Sequence, residues 1–229
     1  MIVTMLPAGK HVRQIYEGEG GILDNAKLGT LMIDSSTIDV DSARAVSAAA
    51  EARGMKMVDA PVSGGQAGAE NGQLSVMCGG AQDHFDRAEP VIDAYSKICR
   101  RLGESGAGQL AKMANQIAIA GLVQGLSESL AFAEKAGLDG RALVEVISQG
   151  AAGSWQMVNR HGTMLDDQFE HGFAVDWMRK DLGICLDAAD ALSVSLPVTA
   201  LVDQFYKEVQ QMGGGRWDTS SLIKRLRRP

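Results

Sequence analysis

The chain has 229 residues, enough for one large domain or two smaller ones that each bury a core. Its formal charge of −6 argues against a nucleic-acid surface, which needs a basic patch. The three cysteines, Cys78, Cys99 and Cys185, fall in no CxxC or Cys/His spacing, which argues against a disulfide framework or a zinc site and suits a reducing cytosol.

Up to about residue 104, short β-branched or apolar runs alternate with helical patterns, the rhythm of a mostly parallel sheet. Strands are predicted over 2–6, 31–34, 55–59, 74–79 and 98–102. Asp39 reads as the N-cap of an Ala-rich helix over 40–53 that Gly54 ends, which makes a βαβ unit. Another helix is predicted over 81–95, with Asp83 and Asp86 in its first turns and a kink at Glu89-Pro90. After Gly103 helical periodicity takes over, dividing the chain into residues 1–104 and an all-helical 105–229. A single helix over 110–133 would reach about 36 Å, and its small residues would let another helix of a domain or subunit interface pack closely. Further helices are predicted over 140–149, 154–165, 180–192, 197–212 and 219–226, with Gly213-Gly-Gly215 as a loop. The apolar run at 117–123 is too short to span a bilayer, and Lys112, Asn115, Gln124 and Glu128 make its surroundings too polar. The basic tail Lys224-Arg-Leu-Arg-Arg228 reads as a solvated helix end favoured by the helix dipole.

Lys112 lies in Gly106-Ala-Gly-Gln-Leu-Ala-Lys-Met-Ala-Asn-Gln116, at the head of the long apolar helix, where a lone ammonium is costly. Taken alone, such a lysine snorkels to water. Gln116, one helical turn on, and the loop Asp59-Ala-Pro-Val-Ser-Gly-Gly65 turn the reading toward an active site. A lysine can take a proton from a hydroxyl or return it to an alkoxide, provided that a wall such as Met113 and Ile117 brings its pKa from about 10.4 to about 7–8. Gln116, supported by Asn115, could orient a hydroxyl or carboxylate, although an Asn-Gln pair alone is more often a satisfied polar turn. Ser63, Gly64 and Gly65 follow a strand end, and the glycines let backbone N–H groups approach an anion such as a carboxylate; the same residues also make an ordinary turn. Trp155 and Trp177 are expected in the core or in pocket walls. His11, His84, His161 and His171 show no paired metal spacing, and no metal is assigned.

Seven blocks stand in order: Thr4-Met-Leu-Pro7, Asp34-Ser-Ser-Thr-Ile38, Asp59-Ala-Pro-Val-Ser-Gly-Gly65, Gly106-x-Gly-Gln with Lys112, Gly172-Phe173, Arg179-Lys-Asp181 and Asp218. With them the chain resembles, over nearly its whole length, the β-hydroxyacid dehydrogenase family, which includes 3-hydroxyisobutyrate dehydrogenase and tartronate semialdehyde (2-hydroxy-3-oxopropionate) reductase. The pattern Lys112-x-x-Asn-Gln116 is closer to the second. The resemblance implies an α/β fold, a partial Rossmann-type parallel sheet domain followed by an all-α domain built on one long helix. It also implies NAD or NADP as cofactor, a small carboxylate-bearing aldehyde or hydroxyacid as substrate, and a homodimer or homotetramer. It makes Lys112 the catalytic acid/base and assigns Ser63, Gly64, Gly65, Asn115 and Gln116 to the substrate. Leu6, Pro7 and Thr37 would touch the cofactor's ribose and nicotinamide side, and Phe173, Lys180 and Asp181 would close over the nicotinamide and Lys112. On structural grounds alone Phe173 is equally a core residue, and Lys180-Asp181 a solvated pair. One departure stands out: relatives open with a strand and a Gly-x-Gly-x-x-Gly turn, which this sequence lacks. The expectation is therefore a partial cofactor domain with weak cofactor binding. The alternatives are a non-catalytic dimerising remnant, an imine reductase and a phosphogluconate-type dehydrogenase of the same architecture.

Overall fold

A computed structural model describes residues 1–227; Arg228, the end of the basic tail, lies outside the described residues. The chain divides into two compact units, Met1–Asn115 and Gln116–Pro229.

The first unit is built on six strands: β1 (Ile2–Thr4), β2 (Leu31–Asp34), β3 (Lys56–Asp59), β4 (Val62–Ser63), β5 (Leu74–Gly79) and β6 (Ser96–Gly103). β1, β2 and β3 run parallel, and their last residues Thr4, Asp34 and Asp59 share one register row. β6 is parallel to β5, but β5 lies antiparallel to β3, where Gly79 faces Asp59, and antiparallel to β4. The sheet is thus mostly parallel, as expected, with its antiparallel pairing confined to β3/β5 and β4/β5. The chain leaves β3 through β4 and the short α4 (Gly65–Glu70), a connection that returns antiparallel more readily than one with a long crossover helix.

Alternation along the strands buries both faces. Leu31, Ile33 and Val58 pack with Phe85, Ala88 and Ile92 of α5 (Gln82–Ile92), while Met32 and Met57 pack with Val12 and Tyr16 of α1 (Gly9–Glu17) and Val46 of α3 (Val40–Glu51). Burial on both sides is why these strands read as unbroken apolar runs. Asp39 caps α3 by accepting from the Ser42 N–H at 2.7 Å, and Gly54 follows its end at φ +69°, as expected. α1, α2 (Ile22–Asn25) and α4 were not anticipated; α1 buries only Gly9, Val12 and Tyr16, too few for a clear period.

α6 (Ala107–Lys135) is longer at both ends than the expected 110–133. The second unit contains its later turns together with α7 (Gly140–Ile147), α8 (Trp155–Leu165), α9 (Val175–Leu192), α10 (Pro197–Gln211), a 3₁₀ turn at Thr219–Leu222 and α11 (Ile223–Leu226). Asp139 and Ser154 cap α7 and α8 with their side chains. By length and composition alone α6 could cross a membrane. Several of its apolar positions are nevertheless occupied within the unit: Ala120 and Val123 pack with α9 and α10, and Leu126 and Leu130 with Val144, Met157 and Met164, while Leu122 and Phe132 are exposed. Up to Arg227 the basic tail is ion-paired and not merely solvated. Lys224 meets Asp167 at 2.5 Å, Arg225 meets Glu208 at 3.0 Å, and Arg227 meets Glu134.

Candidate active site

The carboxyl ends of β1 and β2 are joined by a buried polar network. Asp34 is fully buried, and its Oδ1 accepts from Thr4 Oγ1 at 2.8 Å, Ser36 Oγ at 2.6 Å and the Ser36 N–H at 3.3 Å. Ser36 Oγ in turn accepts the Leu6 N–H at 2.7 Å, and Thr4 Oγ1 lies 2.8 Å from the Tyr16 hydroxyl. Burial pushes the Asp34 carboxyl above the usual carboxylate range, against the lowering pull of the Ser36 and Thr4 donors. The turns that carry Leu6-Pro7 and Thr37 are thereby fixed beside each other at adjacent parallel strand ends, where open α/β sheets place ligands. That arrangement fits the nicotinamide and ribose end of a dinucleotide.

One strand further along, Asp59 is buried with both oxygens committed. Oδ1 accepts the Gly106 N–H at 2.8 Å and Oδ2 the Gln109 N–H at 3.1 Å. Burial raises this carboxyl too, opposed by the N–H groups of Gly106, Gln109 and Gly108. The Gln109 side chain is fully buried and bridges to the loop after β2: Oε1 accepts the Ile38 N–H at 3.0 Å and Nε2 donates to the Ser36 carbonyl at 2.8 Å. Asp59 and Gln109 stand inside the sequence blocks but were given no role of their own. The available signal was an acid closing a strand, together with a helix preceded by Gly106, which has no side chain to cap it.

Lys112 follows in the first turns of α6 and is only 7% exposed, with Met113 buried beside it and Asn115 half-buried. Ser63 closes β4, where it pairs with Ser75 of β5. Gly64 and Gly65 have φ of +139° and +65°, conformations that other residues rarely adopt. These candidates, with Leu6, Pro7 and Thr37, all belong to the first unit.

Gln116, Phe173, Lys180 and Asp181 belong to the second. Gln116 Nε2 donates to Asp181 Oδ2 at 2.6 Å, and Lys180 Nζ lies 3.0 Å from Asp181 Oδ1. Asp181 is 2% exposed, so Lys180-Asp181 is not the solvated pair that the residues alone suggested; α9 starts at Val175, ahead of the expected 180, and turns Asp181 inward. Phe173 packs against the α6/α9/α10 cluster, and its N–H donates to Asp218 Oδ2 at 2.9 Å. Trp155 and Trp177 are not core: they are 49% and 38% exposed, lying against the guanidinium groups of Arg160 and Arg216. Trp217 is the tryptophan packed against both helical clusters.

A family model for the NAD binding domain of 6-phosphogluconate dehydrogenase matches residues 1–103, and one for the NAD-binding of NADP-dependent 3-hydroxyisobutyrate dehydrogenase matches 106–226. The chain belongs to the 3-hydroxyisobutyrate dehydrogenase family. The family consists of oxidoreductases that use NAD or NADP, as the resemblance implied. An uncharacterized oxidoreductase of Shewanella frigidimarina is 56% identical, with 99% of this chain and 78% of that protein covered. The 3-hydroxyisobutyrate dehydrogenase of Pseudomonas aeruginosa is 39% identical, with 90% and 72% covered. Among solved structures, a Mycobacterium tuberculosis 3-hydroxyisobutyrate dehydrogenase with L-serine superposes with a TM-score of 0.86 at 35% identity, over 99% of this chain and 79% of that one.

Proposed function

We propose that this member of the 3-hydroxyisobutyrate dehydrogenase family interconverts a small 3-hydroxyacid carrying a primary alcohol and its semialdehyde, with Lys112 as general acid/base. The observation that carries the reading is the burial of Lys112 in the first turns of α6, whose start is tied through Gln109 and Asp59 to the carboxyl ends of β2 and β3, where open α/β sheets place ligands. NAD or NADP, when bound, supplies or accepts the hydride. Lys112 takes the hydroxyl proton in oxidation and returns it to the developing alkoxide in reduction. Backbone N–H groups of Ser63, Gly64 and Gly65 hold the carboxylate, and Asn115 and Gln116 orient the hydroxyl. Leu6, Pro7 and Thr37 receive the ribose and nicotinamide side of the cofactor, which Phe173, Lys180 and Asp181 also contact.

3-Hydroxyisobutyrate and L-serine, the compounds named for the relatives, share a carboxylate and a terminal CH2OH and differ only at the carbon between them. A site that recognises the carboxylate and the hydroxyl serves both. Glycerate and its oxidation product tartronate semialdehyde have the same outline, and the Lys112-x-x-Asn-Gln116 pattern favours them as the physiological pair. We take the working form to be a homodimer or homotetramer in the cytosol. Phe132 on α6, 74% exposed, and the three buried free thiols support that setting.

The test is formation of reduced nicotinamide from 3-hydroxyisobutyrate, L-serine and glycerate, each with NAD and with NADP. Turnover of at least one is expected. A chain that binds the cofactor and oxidises none of the three would overturn the reading.

A further inference from the structure

α6 starts without a cap of its own. Gly106, the residue before it, has φ of +88° and no side chain, yet the first N–H groups of an α-helix need partners. The Ala107 N–H finds the Glu104 carbonyl, and the Asp59 carboxylate, 47 residues before Gly106, takes two more donors at this end: Oδ1 accepts the Gly106 N–H and Oδ2 the Gln109 N–H. Packing around it leaves no slack. A Cβ on Gly79 would come within 2.6 Å of Asp59 Oδ1, and one on Gly108 within 2.7 Å of Asp59 Oδ2 and 2.5 Å of the Met77 carbonyl. A negative group at a helix N-terminus also opposes the macrodipole favourably.

We propose that Asp59 is the positioning residue for Lys112: by capping α6 from the end of β3, it sets the axial and rotational register of the helix turn on which Lys112 stands. The proposal rests on the role given to Lys112 above. Each residue of register is about 1.5 Å of rise and about 100° of rotation, and a misplacement of about 1 Å at a reacting group can cost up to about a hundredfold in rate. Asp59→Asn keeps the shape but turns an NH2 toward a backbone N–H, so one of the two bonds is lost and that end of the first turn is released.

The experiment is a double-mutant cycle in the full chain, with rates referred to the concentration of cofactor-binding sites. Asp59→Asn is expected to lower kcat by about tenfold or more, with KM and cofactor Kd within about twofold. Combined with Lys112→Ala, it is expected to add nothing beyond the loss from Lys112→Ala alone, because one residue acts through the other. If the two losses multiply, or if kcat per site is unchanged in Asp59→Asn, the link to Lys112 is overturned while the role of Lys112 stands. If Lys112→Ala alone retains full turnover, the proposed function and this inference fall together. Amide hydrogen exchange on the wild-type chain gives a reading independent of any variant's folding. Gly106 and Gln109 are expected to be protected like the middle of α6, and exchange at unstructured rates would overturn the cap.

Discussion

Asp34 and Asp59 are register partners at the carboxyl ends of β2 and β3, two buried carboxylates whose different hydrogen-bonding makes them respond differently to the same substitution. Burial lifts both from their ordinary value of 3.8. A folded-state pKa above the unfolded one means that the folded chain holds more protons between the two values, so stability falls as pH rises through that window. At Asp34 all three bonds go to Oδ1, and Oδ2 has no hydrogen-bond partner. Asp34→Asn can therefore keep every bond and drop the charge. Urea midpoints measured from pH 4 upward, about the lower edge of the window, should decline less steeply in this variant than in wild type, with no loss at neutral pH. An unchanged slope would show that Asp34 does not titrate as its burial implies.

Gln109 supports a second expectation. Truncation to alanine leaves the Ile38 N–H and the Ser36 carbonyl buried without their partner, at about 1–3 kcal/mol each. It also frees the loop that carries Thr37 from α6. Gln109→Ala should lower the midpoint of thermal unfolding and weaken cofactor binding severalfold, read by nicotinamide fluorescence. If the chain loses stability and keeps wild-type cofactor affinity, the bridge is structural only.

What was legible in the sequence is what neighbouring residues decide. Asp39 announces its helix because a cap acts within three residues, and β2 and β3 show as apolar runs because both their faces are buried. Lys112 stood out for a related reason, a charge inside an apolar helix. The roles of Asp59 and Gln109 within their sequence blocks were not legible because their partners lie 47 to 73 residues away, brought close only by the sheet register. Trp155 and Trp177 are outside the core because hydrophobicity does not say which face of a helix is covered; arginine stacking lets each remain near the surface. The inward turn of Asp181 depended on where α9 begins, and the turn before Val175 carries no side-chain cap to mark it.

Recognition of the carboxylate can be separated from chemistry at Ser63 and Gly65. Nothing lies within 4 Å of a Cβ built on Gly65, so Gly65→Val is resisted by the backbone at φ +65° and not by crowding. That strain should turn the N–H groups of the loop away from an anion. KM for hydroxyacids is expected to rise by about tenfold or more, while kcat at saturation changes far less. Ser63→Ala should do the same more weakly. Amide or ester analogues, which lack the charge, should distinguish variant from wild type much less. Equal losses on charged and uncharged substrates would mark the loop as scaffold.

Lys112→Ala removes the proposed general acid/base and leaves the loops after β1 and β2, the proposed cofactor site, untouched, since their buried network runs through Thr4, Asp34, Ser36 and Leu6. The expected result is a loss of about 10² or more in kcat with cofactor Kd unchanged. Lys112→Arg makes the sharper variant. It keeps the positive charge but stays protonated at any working pH, so it cannot accept the hydroxyl proton in oxidation. If charge alone mattered, arginine would restore most of the rate. If proton transfer matters, arginine should be as slow as alanine, and the limb of the pH profile that belongs to the lysine should vanish in both. Initial rates of each variant across pH, in the oxidative direction, distinguish the two, and near wild-type turnover in Lys112→Ala would remove the lysine from the mechanism altogether.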